Sequence, residues 1–234
     1  MSEEKGNISI HTENIFPIIK KWLYSDKDIF IRELISNGCD AVNKYKRLIS
    51  MGEINGDENE EFKILVTVNK EKGTMTFSDN GIGMTEEEVK KYINQIAFSG
   101  AEDFVEKYKD KIGEGNDIIG HFGLGFYSAF MGADKVQIDT LSYKDDAKAV
   151  RWVCNGGTEY EITPSDTRET RGTTITLYMN DDSKEFLEEY KTRSIIAKYC
   201  AFMPVEIFLE DECIEKKEDD NSVVSAINDT KPLW

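Results

Sequence analysis

Four polar side chains recur on one side of a helix that we predict over residues 26–50, namely Glu33, Asn37, Asp40 and Lys44. At about 100° per residue, they fall within a sector of roughly 60°. A carboxylate such as that of Glu33 can accept a proton from water. The amide oxygen of Asn37 is a hard ligand of the kind that magnesium prefers. The spacing therefore permits a site in which one helix face activates water and binds a metal ion.

The apolar residues of the same helix begin beside this polar sector. They are Phe30, Ile31, Leu34, Ile35, Ala41, Val42, Tyr45 and Leu48, and the far side carries Arg32, Cys39, Asn43 and Lys46. In one interpretation the polar sector is a solvated stripe, because charged residues on helices usually face water. In the other it is the wall of a pocket whose floor is the apolar arc. Periodicity alone does not choose between them.

The segment Asp79-Asn80-Gly81-Ile82-Gly83 follows a predicted strand and precedes a predicted helix. It is a plain turn in one interpretation, because Asn-Gly is a common turn pair and Asp is frequent in turns. In the other, the glycines let the backbone approach a flat ring closely. A buried Asp79 would then accept a hydrogen bond from an exocyclic amine. A single D-x-G-x-G pattern is too common among turns to decide between these interpretations.

A second glycine-containing segment, Gly120-His121-Phe122-Gly123-Leu124-Gly125-Phe126, leads into a helix predicted over residues 126–131. Consecutive backbone amides and a helix N-terminus form a natural anion site. The segment is neither a Walker A loop, since no Gly-Lys-Ser/Thr follows, nor a Rossmann fingerprint, since the strand context and the downstream acid are wrong. A phosphate-binding loop and a flexible linker both stay open. Arg171-Gly172-Thr173, which opens a late predicted strand, indicates no chemistry by itself.

Hydrophobic periodicity predicts the elements that must position these residues. Helices are predicted at 11–24, 26–50, 126–131 and 183–199, and another begins at Thr85, where Glu88 completes a capping-box pattern. Strands are predicted at 62–69 and 74–78, joined as a hairpin, and at 134–143, 148–154, 158–163, 172–179, 204–210 and 222–227. Because helices come mainly first and strands mainly later, we expect an α+β sandwich rather than a doubly wound parallel sheet.

Length and charge exclude several classes of protein. The 234 residues suit one large domain or two small ones, and 39% of them are hydrophobic, which is enough for a core. The net charge of −16, from 29 basic and 45 acidic residues, disfavours general nucleic-acid binding. No stretch approaches the roughly 18 apolar residues of a membrane span, and the polar N-terminus is not typical of a signal peptide. We therefore expect a cytoplasmic protein that binds neither nucleic acid nor membranes.

Taken in order, these segments resemble the heat-shock protein 90 family, most closely its bacterial cytosolic members. The resemblance runs from about His11 to Trp234 and rests on five short motifs. They are Arg32-Glu33-Leu34-Ile35-Ser36-Asn37 with Asp40-Ala41, Asp79-x-Gly81-Ile82-Gly83-Met84-Thr85, Ile96-Ala97-x-Ser99-Gly100, Gly120-x-Phe122-Gly123-x-Gly125-Phe126-Tyr127-Ser128 and Arg171-Gly172-Thr173. Type II topoisomerases, MutL mismatch-repair proteins and sensor histidine kinases share only the Glu/Asn, D-x-G-x-G and glycine-loop elements.

The resemblance implies that residues 1–234 form one N-terminal nucleotide-binding domain with the Bergerat-type GHKL ATPase fold. This fold is a two-layer α/β sandwich whose mainly antiparallel mixed sheet is covered on one face by helices. A mobile lid is implied over about residues 99–125. We expect the family's middle and C-terminal dimerisation domains to be absent from this chain, and with them an arginine that helps complete the catalytic site. We therefore expect the chain to bind ATP or ADP with Mg²⁺, and efficient hydrolysis to require the full protein.

The resemblance also implies roles for particular residues. Glu33 is similar to the general base that activates the attacking water, and Asn37 to the magnesium ligand. Asp79 resembles the acid that hydrogen-bonds the adenine amino group, with Thr173 assisting through water. Further nucleotide-binding positions are Asp40 and Lys44 beside the nucleotide or its waters, Gly83, Met84, Ile93 and Phe126 around the base and sugar, and Gly120, His121, Phe122, Gly123, Leu124 and Gly125 around the phosphates.

Three residues depart from the family pattern. Phe98 stands where many members have a lysine that reaches the phosphates, His121 stands where glutamine is common, and Tyr92 stands where eukaryotic members often carry asparagine near the sugar. These departures concern affinity and detailed contacts rather than the class of ligand.

The implied function is that of a molecular chaperone whose ATPase cycle assists the folding of client proteins. The implied partners are unfolded or partly folded clients, with a homodimer in the full protein and a monomer for this chain alone. Two other functions stay open. One is a kinase domain of the histidine-kinase type that uses the same pocket, and the other is a non-enzymatic module whose acidic surface binds partners.

Overall fold

The computed structural model of the protein describes residues 26–57, 60–95, 103–104, 107–108, 125–157, 159–214 and 225–231. The helix predicted over 11–24 lies outside these residues. So do Phe98 and nearly all of the segment predicted as a lid, about 99–125, including Gly120 to Leu124.

Strands in the described part of the chain form one sheet in the order β5-β4-β3-β6-β2-β1-β7. Their bounds are β1 Lys63–Asn69, β2 Thr74–Asp79, β3 Ala133–Leu141, β4 Val150–Cys154, β5 Tyr160–Pro164, β6 Gly172–Met179 and β7 Glu206–Asp211. Every neighbouring pair is antiparallel except β1 and β7, which run parallel. The sheet is therefore mixed and mainly antiparallel, as the sequence predicts.

Helices cover one face of this sheet. They are α1 Ile29–Ser50, α2 Glu86–Tyr92, α3 Ala129–Gly132 and α4 Glu189–Tyr199, with 3-10 helices at Gly125–Ser128 and Asp181–Leu187. The long helix α1 buries Phe30, Ile31, Leu34, Ile35 and Val42 against Met75, Phe77, Ile138 and Leu177 of the strands. Each large side chain buried in this way stabilises the fold by about 1.5–3 kcal/mol.

The two-layer α+β fold is thus confirmed, and seven of the eight predicted strands are present with ends that differ by at most two residues. The strand predicted over 222–227 is wrong for its described part, residues 225–227. There the chain crosses the end of β7 through one backbone bond, from Ile227 to Ile207, at 2.8 Å. The Asn228 side chain then accepts the Ile207 N–H and donates to the carbonyls of Met203 and Val205. These side-chain bonds replace a strand ladder.

Two predicted helices are divided. The helix predicted over 183–199 begins as a 3-10 helix and becomes α-helical only at Glu189, because Glu188 has an extended backbone with φ −73° and ψ 117°. The helix predicted over 126–131 is likewise a 3-10 helix before Ala129. Helix α2 begins as predicted, because Thr85 accepts the Glu88 N–H at 3.3 Å and the Glu88 carboxylate accepts the Thr85 N–H at 2.8 Å. No helix in the described residues is long and apolar enough to cross a membrane.

Candidate functional site

A cavity of about 490 Å³ lies between α1, α2 and the sheet, in the size range of small-molecule sites. Nine of the residues predicted to bind a nucleotide line it. They are Asn37, Asp40, Lys44, Asp79, Gly83, Met84, Ile93, Phe126 and Thr173. The fold thus brings together residues from the first and last thirds of the chain. It does so because β2, which ends at Asp79, pairs with β6, where Thr173 is the residue opposite Asp79.

The polar sector of α1 forms one wall of this cavity rather than a solvated stripe. Asn37, Asp40 and Lys44 all line the cavity, and Asp40 is only 5% exposed. Helix α1 can approach the floor closely because residue 38 is a glycine. A Cβ atom there would lie 3.1 Å from Ile64 Cδ1 and 3.6 Å from Asp79 Cβ. A larger residue at position 38 would require the Ile64 side chain to shift.

Lys44 places a cation beside several acids in the cavity. Burial lowers the pKa of Lys44, and the nearby carboxylates of Asp40, Glu88 and Asp103 oppose this shift. A partly desolvated ammonium group interacts strongly with charge, because little water screens it. Lys44 can therefore attract an anionic ligand into the cavity.

Asp79 lies at the floor of the cavity with one carboxylate oxygen already bound. Its Oδ1 accepts the N–H of Gly81 at 2.8 Å. Burial raises the pKa of Asp79 to about 6, although the Gly81 N–H, the nearby Arg168 and the Thr173 backbone act in the opposite direction. Near neutral pH the buried carboxylate is ionised and is a strong acceptor for a ligand N–H group.

The glycines of the D-x-G-x-G segment let the turn fit between α1 and β3. A Cβ atom on Gly81 would lie 2.5 Å from the backbone carbon of Ala41. Gly83 has φ +62°, and a Cβ atom there would overlap the carbonyl of Leu141. The next residues hold the turn in place, since Ile82 donates to the Ala41 carbonyl at 3.0 Å and accepts from the Tyr143 N–H at 3.0 Å. Positions 81 and 83 of the turn are therefore packed too closely for any residue larger than glycine.

Thr140 is a site residue that sequence reasoning missed. Its buried hydroxyl accepts the N–H of Met84 at 3.0 Å, donates to the Gly172 carbonyl at 3.1 Å and lies 3.0 Å from the Thr173 hydroxyl. It thus links two cavity residues, Met84 and Thr173. A threonine at an inward position of a strand gives no signal of this role in the sequence, because only the pairing of β3 with β6 brings the partners together.

Apolar side chains form the rest of the floor and one end of the cavity. Met84, Ile93 and Phe126 line it together with Phe77, Ile138 and Ile175. Phe126 is held by an edge contact with Trp152, whose ring centroid lies 5.7 Å away. The Trp152 indole N–H in turn donates to Asn94 Oδ1 at 2.9 Å. Such a surface suits a flat aromatic group.

Glu33 lies next to the cavity but does not line it. Its carboxylate accepts a hydrogen bond from Arg32 Nε at 3.2 Å and a second, shorter one from the same guanidinium. The other carboxylate oxygen faces Gly125, where a Cβ atom would lie 2.6 Å from it. Glu33 is therefore beside the end of the segment predicted to bind phosphates, of which the structure describes only Gly125 and Phe126.

Another group of residues that line the cavity contributes paired charges and aromatic rings. Asp103 accepts hydrogen bonds from Lys91 and, at 3.1 Å, from the hydroxyl of Tyr92, one of the departures from the family pattern. Lys144 donates to Glu88 at 2.7 Å. Phe104 packs with Leu48, beside the partly buried rings of Tyr108 and Tyr143. This part of the cavity is therefore lined by both charged and apolar side chains.

Comparisons with known proteins agree with this geometry. A family model described as "Histidine kinase-, DNA gyrase B-, and HSP90-like ATPase" matches residues 25–183. The chain is 53% identical over 233 residues to the "Chaperone protein HtpG" of Bacteroides thetaiotaomicron, which covers 99% of this chain and 33% of that protein. It is 48% identical to the protein of the same name from Porphyromonas gingivalis, with the same coverage. The identity to the corresponding Fusobacterium nucleatum protein is 38%, over 100% of this chain and 36% of that protein.

The chain thus spans about a third of the length of these curated relatives. The match to the family model includes α1, the D-x-G-x-G segment and all of β6, and so it includes both sides of the cavity.

Proposed function

The chain belongs to the family of histidine kinase-, DNA gyrase B- and HSP90-like ATPases. We propose that its cavity holds ATP or ADP with Mg²⁺ and that the chain is the ATPase domain of a molecular chaperone. The chaperone part of this proposal is supported by the names of the relatives, which are chaperone proteins HtpG. Residues 1–234 would form one N-terminal nucleotide-binding domain. In the longer protein, further domains would support dimerisation and act on unfolded or partly folded clients in the cytoplasm.

The observation that carries the proposal is the buried carboxylate of Asp79 on the cavity floor. The Asp79 carboxylate accepts the Gly81 N–H at Oδ1, and its two oxygens have enough acceptor positions to accept the exocyclic amine of adenine as well as backbone N–H groups. Gly83 allows the purine ring to lie close to the backbone, and Met84 and Ile93 would contact its faces. Thr173, opposite Asp79, would add a hydroxyl for a bridging water.

Asn37 and Lys44 would serve the phosphate end of the ligand. Asn37 lines the cavity, and an amide oxygen is a ligand that fits Mg²⁺, which prefers oxygen ligands and usually keeps several waters beside substrate phosphates. When bound, the ion would neutralise part of the phosphate charge. Lys44 would add a cation and Asp40 would hold ordered waters. The segment from Gly120 to Gly125 would supply backbone amides to the phosphates.

Glu33 would accept a proton from the water that attacks the γ-phosphate. Its position outside the cavity lining but next to Gly125 is suited to a group that contacts water rather than the base or sugar. A carboxylate that is correctly positioned contributes about 10²–10⁴-fold to such a reaction. Positioning of ATP and water supplies most of the remainder. Efficient turnover would require the longer protein.

Calorimetric titration with Mg-ADP tests the proposal. The wild-type chain should bind, and Asp79→Asn should weaken binding by at least about tenfold, because the charged acceptor for the adenine amine is lost. The matched control is Asp139→Asn. Asp139 is a buried aspartate of the same sheet, at 5% exposure, but lies outside the cavity lining, so its replacement should leave the affinity unchanged. Unchanged ADP affinity in Asp79→Asn would contradict the proposed site.

A further inference from the structure

Two arginines close to the start of β6 bind the backbone of the D-x-G-x-G turn. Arg168 donates from Nη2 to the Asp79 carbonyl at 3.0 Å. Arg171 donates from Nη1 to the Gly81 carbonyl at 3.0 Å and, by a shorter bond, to the Asn80 carbonyl. Three consecutive carbonyls, those of residues 79 to 81, therefore each accept a hydrogen bond from a guanidinium group.

Neither arginine lines the cavity. Arg168 Nη1 donates to the hydroxyl of Thr174 at 2.6 Å. Thr174 follows Thr173 on β6, and because successive residues of a strand point to opposite faces, its side chain lies on the face away from the cavity. Arg168 therefore holds the turn from behind, where it cannot touch a bound ligand.

Arg171 is itself fixed from several directions. Its guanidinium lies over the ring of Tyr45, 3.5 Å from the centroid, and 5.7 Å from the centroid of Phe62. It also pairs with Glu60, and its side chain is only 15% exposed. A guanidinium that is stacked and paired in this way loses little freedom when it binds the turn. Arg171 is thus a rigid support that joins α1, the loop before β1 and the turn.

Gly172 provides the space that this arrangement needs. It has φ +119°, and a Cβ atom there would overlap the Asp79 carbonyl oxygen and lie 2.5 Å from Arg168 Nη2. The three residues Arg171, Gly172 and Thr173 therefore each contact or adjoin the turn in a different way. Arg171 binds its carbonyls, Gly172 leaves room for a second arginine, and Thr173 lies opposite Asp79 in the strand register.

We propose that Arg168 and Arg171 are positioning residues for base recognition, which hold the peptide groups of residues 79 to 81 so that the Asp79 carboxylate faces an adenine amine. This inference rests on the proposed function of Asp79. The carboxylate is fixed to its own turn by the Gly81 N–H at 2.8 Å. Rotation of the peptide groups would therefore move the carboxylate as well. Loss of the guanidinium donors should weaken the recognition of the amine more than the contacts with sugar and phosphate.

A comparison of ADP with inosine diphosphate tests this inference, because inosine diphosphate carries an oxygen in place of the exocyclic amine. Titration calorimetry on the wild-type chain should show a preference for ADP. In Arg171→Gln we expect ADP affinity to fall by about tenfold, as for loss of a charge-assisted hydrogen bond, while the affinity for inosine diphosphate changes little. Arg168→Gln should act in the same direction. The ratio of the two affinities is the readout, because a general loss of stability would lower both affinities together.

Arg151→Gln is the matched control. Arg151 is a half-buried arginine of the same sheet that pairs with Asp139 at 2.8 Å and does not contact the turn. Its replacement should leave the affinity ratio at the wild-type value. Arg171→Lys keeps the charge over Tyr45 but not the planar pair of donors, so its ratio should fall towards that of Arg171→Gln.

The outcomes separate this inference from the proposed function. If the wild-type chain binds ADP no better than inosine diphosphate, the assignment of Asp79 to the amine fails, and the inference fails with it. If the wild type prefers ADP but folded Arg171→Gln and Arg168→Gln keep the full preference, only the positioning role is overturned. Thermal unfolding establishes which variants fold. Where Arg171→Gln does not fold, the ratios of Arg171→Lys and Arg168→Gln decide by the same criterion.

Discussion

Gly83 lies directly against the carbonyl group of Leu141, and a Cβ atom on residue 83 would be 2.6 Å from the carbonyl carbon and closer still to its oxygen. Because Gly83 also has φ +62°, alanine would be strained in its backbone as well as in its contacts. We expect Gly83→Ala to destabilise the domain by more than about 3 kcal/mol, as for a large clash in a core. Urea denaturation followed by circular dichroism measures this change.

Gly73→Ala is the control for backbone strain alone. Gly73 has φ +64°, but nothing lies within 4 Å of a Cβ atom at this position. Its replacement should cost only about 1–2 kcal/mol. If Gly83→Ala and Gly73→Ala lowered the free energy of unfolding by the same amount, the clash with Leu141 would contribute nothing to the loss of stability.

Thr140→Val should remove the link between Met84 and Thr173. Valine has nearly the same shape but no hydroxyl, so the partly buried Met84 N–H loses its acceptor. We expect a loss of about 1–3 kcal/mol in the free energy of unfolding, together with weaker ADP binding. Thr140→Ser keeps the hydroxyl and should retain most of the affinity. Wild-type affinity in the valine variant would contradict the linking role.

Asp79→Asn should stabilise the ligand-free domain near neutral pH while it weakens nucleotide binding. Burial raises the pKa of Asp79 from 3.8 to about 6. An acid whose pKa is higher in the folded state stabilises the fold below its unfolded pKa, and this contribution is lost as the pH rises through its folded pKa. The variant should therefore be more stable than wild type by on the order of 2–3 kcal/mol at pH 7.5, and by about half of that at pH 5. Urea denaturation at both pH values gives the two differences.

Asp139→Asn should lower the free energy of unfolding near neutral pH, whereas Asp79→Asn should raise it. Burial acts to raise the pKa of Asp139, but hydrogen bonds from Gln137, Ser165, Arg151 and Thr167 outweigh it and hold the pKa below its ordinary value. This carboxylate stabilises the fold above its unfolded pKa, so its replacement should destabilise the domain at pH 7.5, and less so as the medium becomes acidic. Two asparagine variants that respond alike to pH would contradict both assignments.

Glu33→Gln should leave nucleotide binding nearly intact and abolish turnover. Glu33 does not line the cavity, so we expect the ADP affinity to stay within about twofold of wild type, because the charge that is removed does not contact the bound nucleotide. In a longer protein that contains this domain, ATP hydrolysis should fall by about 100-fold or more. Calorimetry and phosphate-release assays give the two values. Glu189→Gln, which removes an exposed carboxylate paired with Arg193, serves as the control. A large loss of ADP affinity would place Glu33 at the ligand itself.

Local signals in the sequence predicted those parts of the fold that depend on neighbours in the chain. The capping box of Thr85 and Glu88 is present with both of its hydrogen bonds. Alternation in the strands and the apolar arc of α1 identified most of the elements. The cavity wall of Asn37, Asp40 and Lys44 followed from the helical spacing once a resemblance had chosen between the two interpretations.

Contacts between distant segments could not be predicted in this way. Arg168, Arg171 and Thr140 occupy ordinary loop or strand positions, and only the pairing of β6 with β2 and β3 brings them to the turn. Cys39 lies on the side of α1 away from the cavity, yet it is fully buried, with its sulfur 3.7 Å from that of Met203. The chain that follows α4 covers this side of the helix. Helical periodicity describes one element and carries no information about which other element covers it.

The pairing of β2 with β6 also determines when the cavity can form during synthesis on the ribosome. Synthesis proceeds from the N-terminus, so α1, the hairpin and Asp79 emerge well before Thr173 and Arg171 exist. Until β6 has left the exit tunnel, β2 has a neighbour on only one side and the floor of the cavity is incomplete. A ligand that needs the complete cavity could therefore stabilise this domain only after β6 has paired with β2.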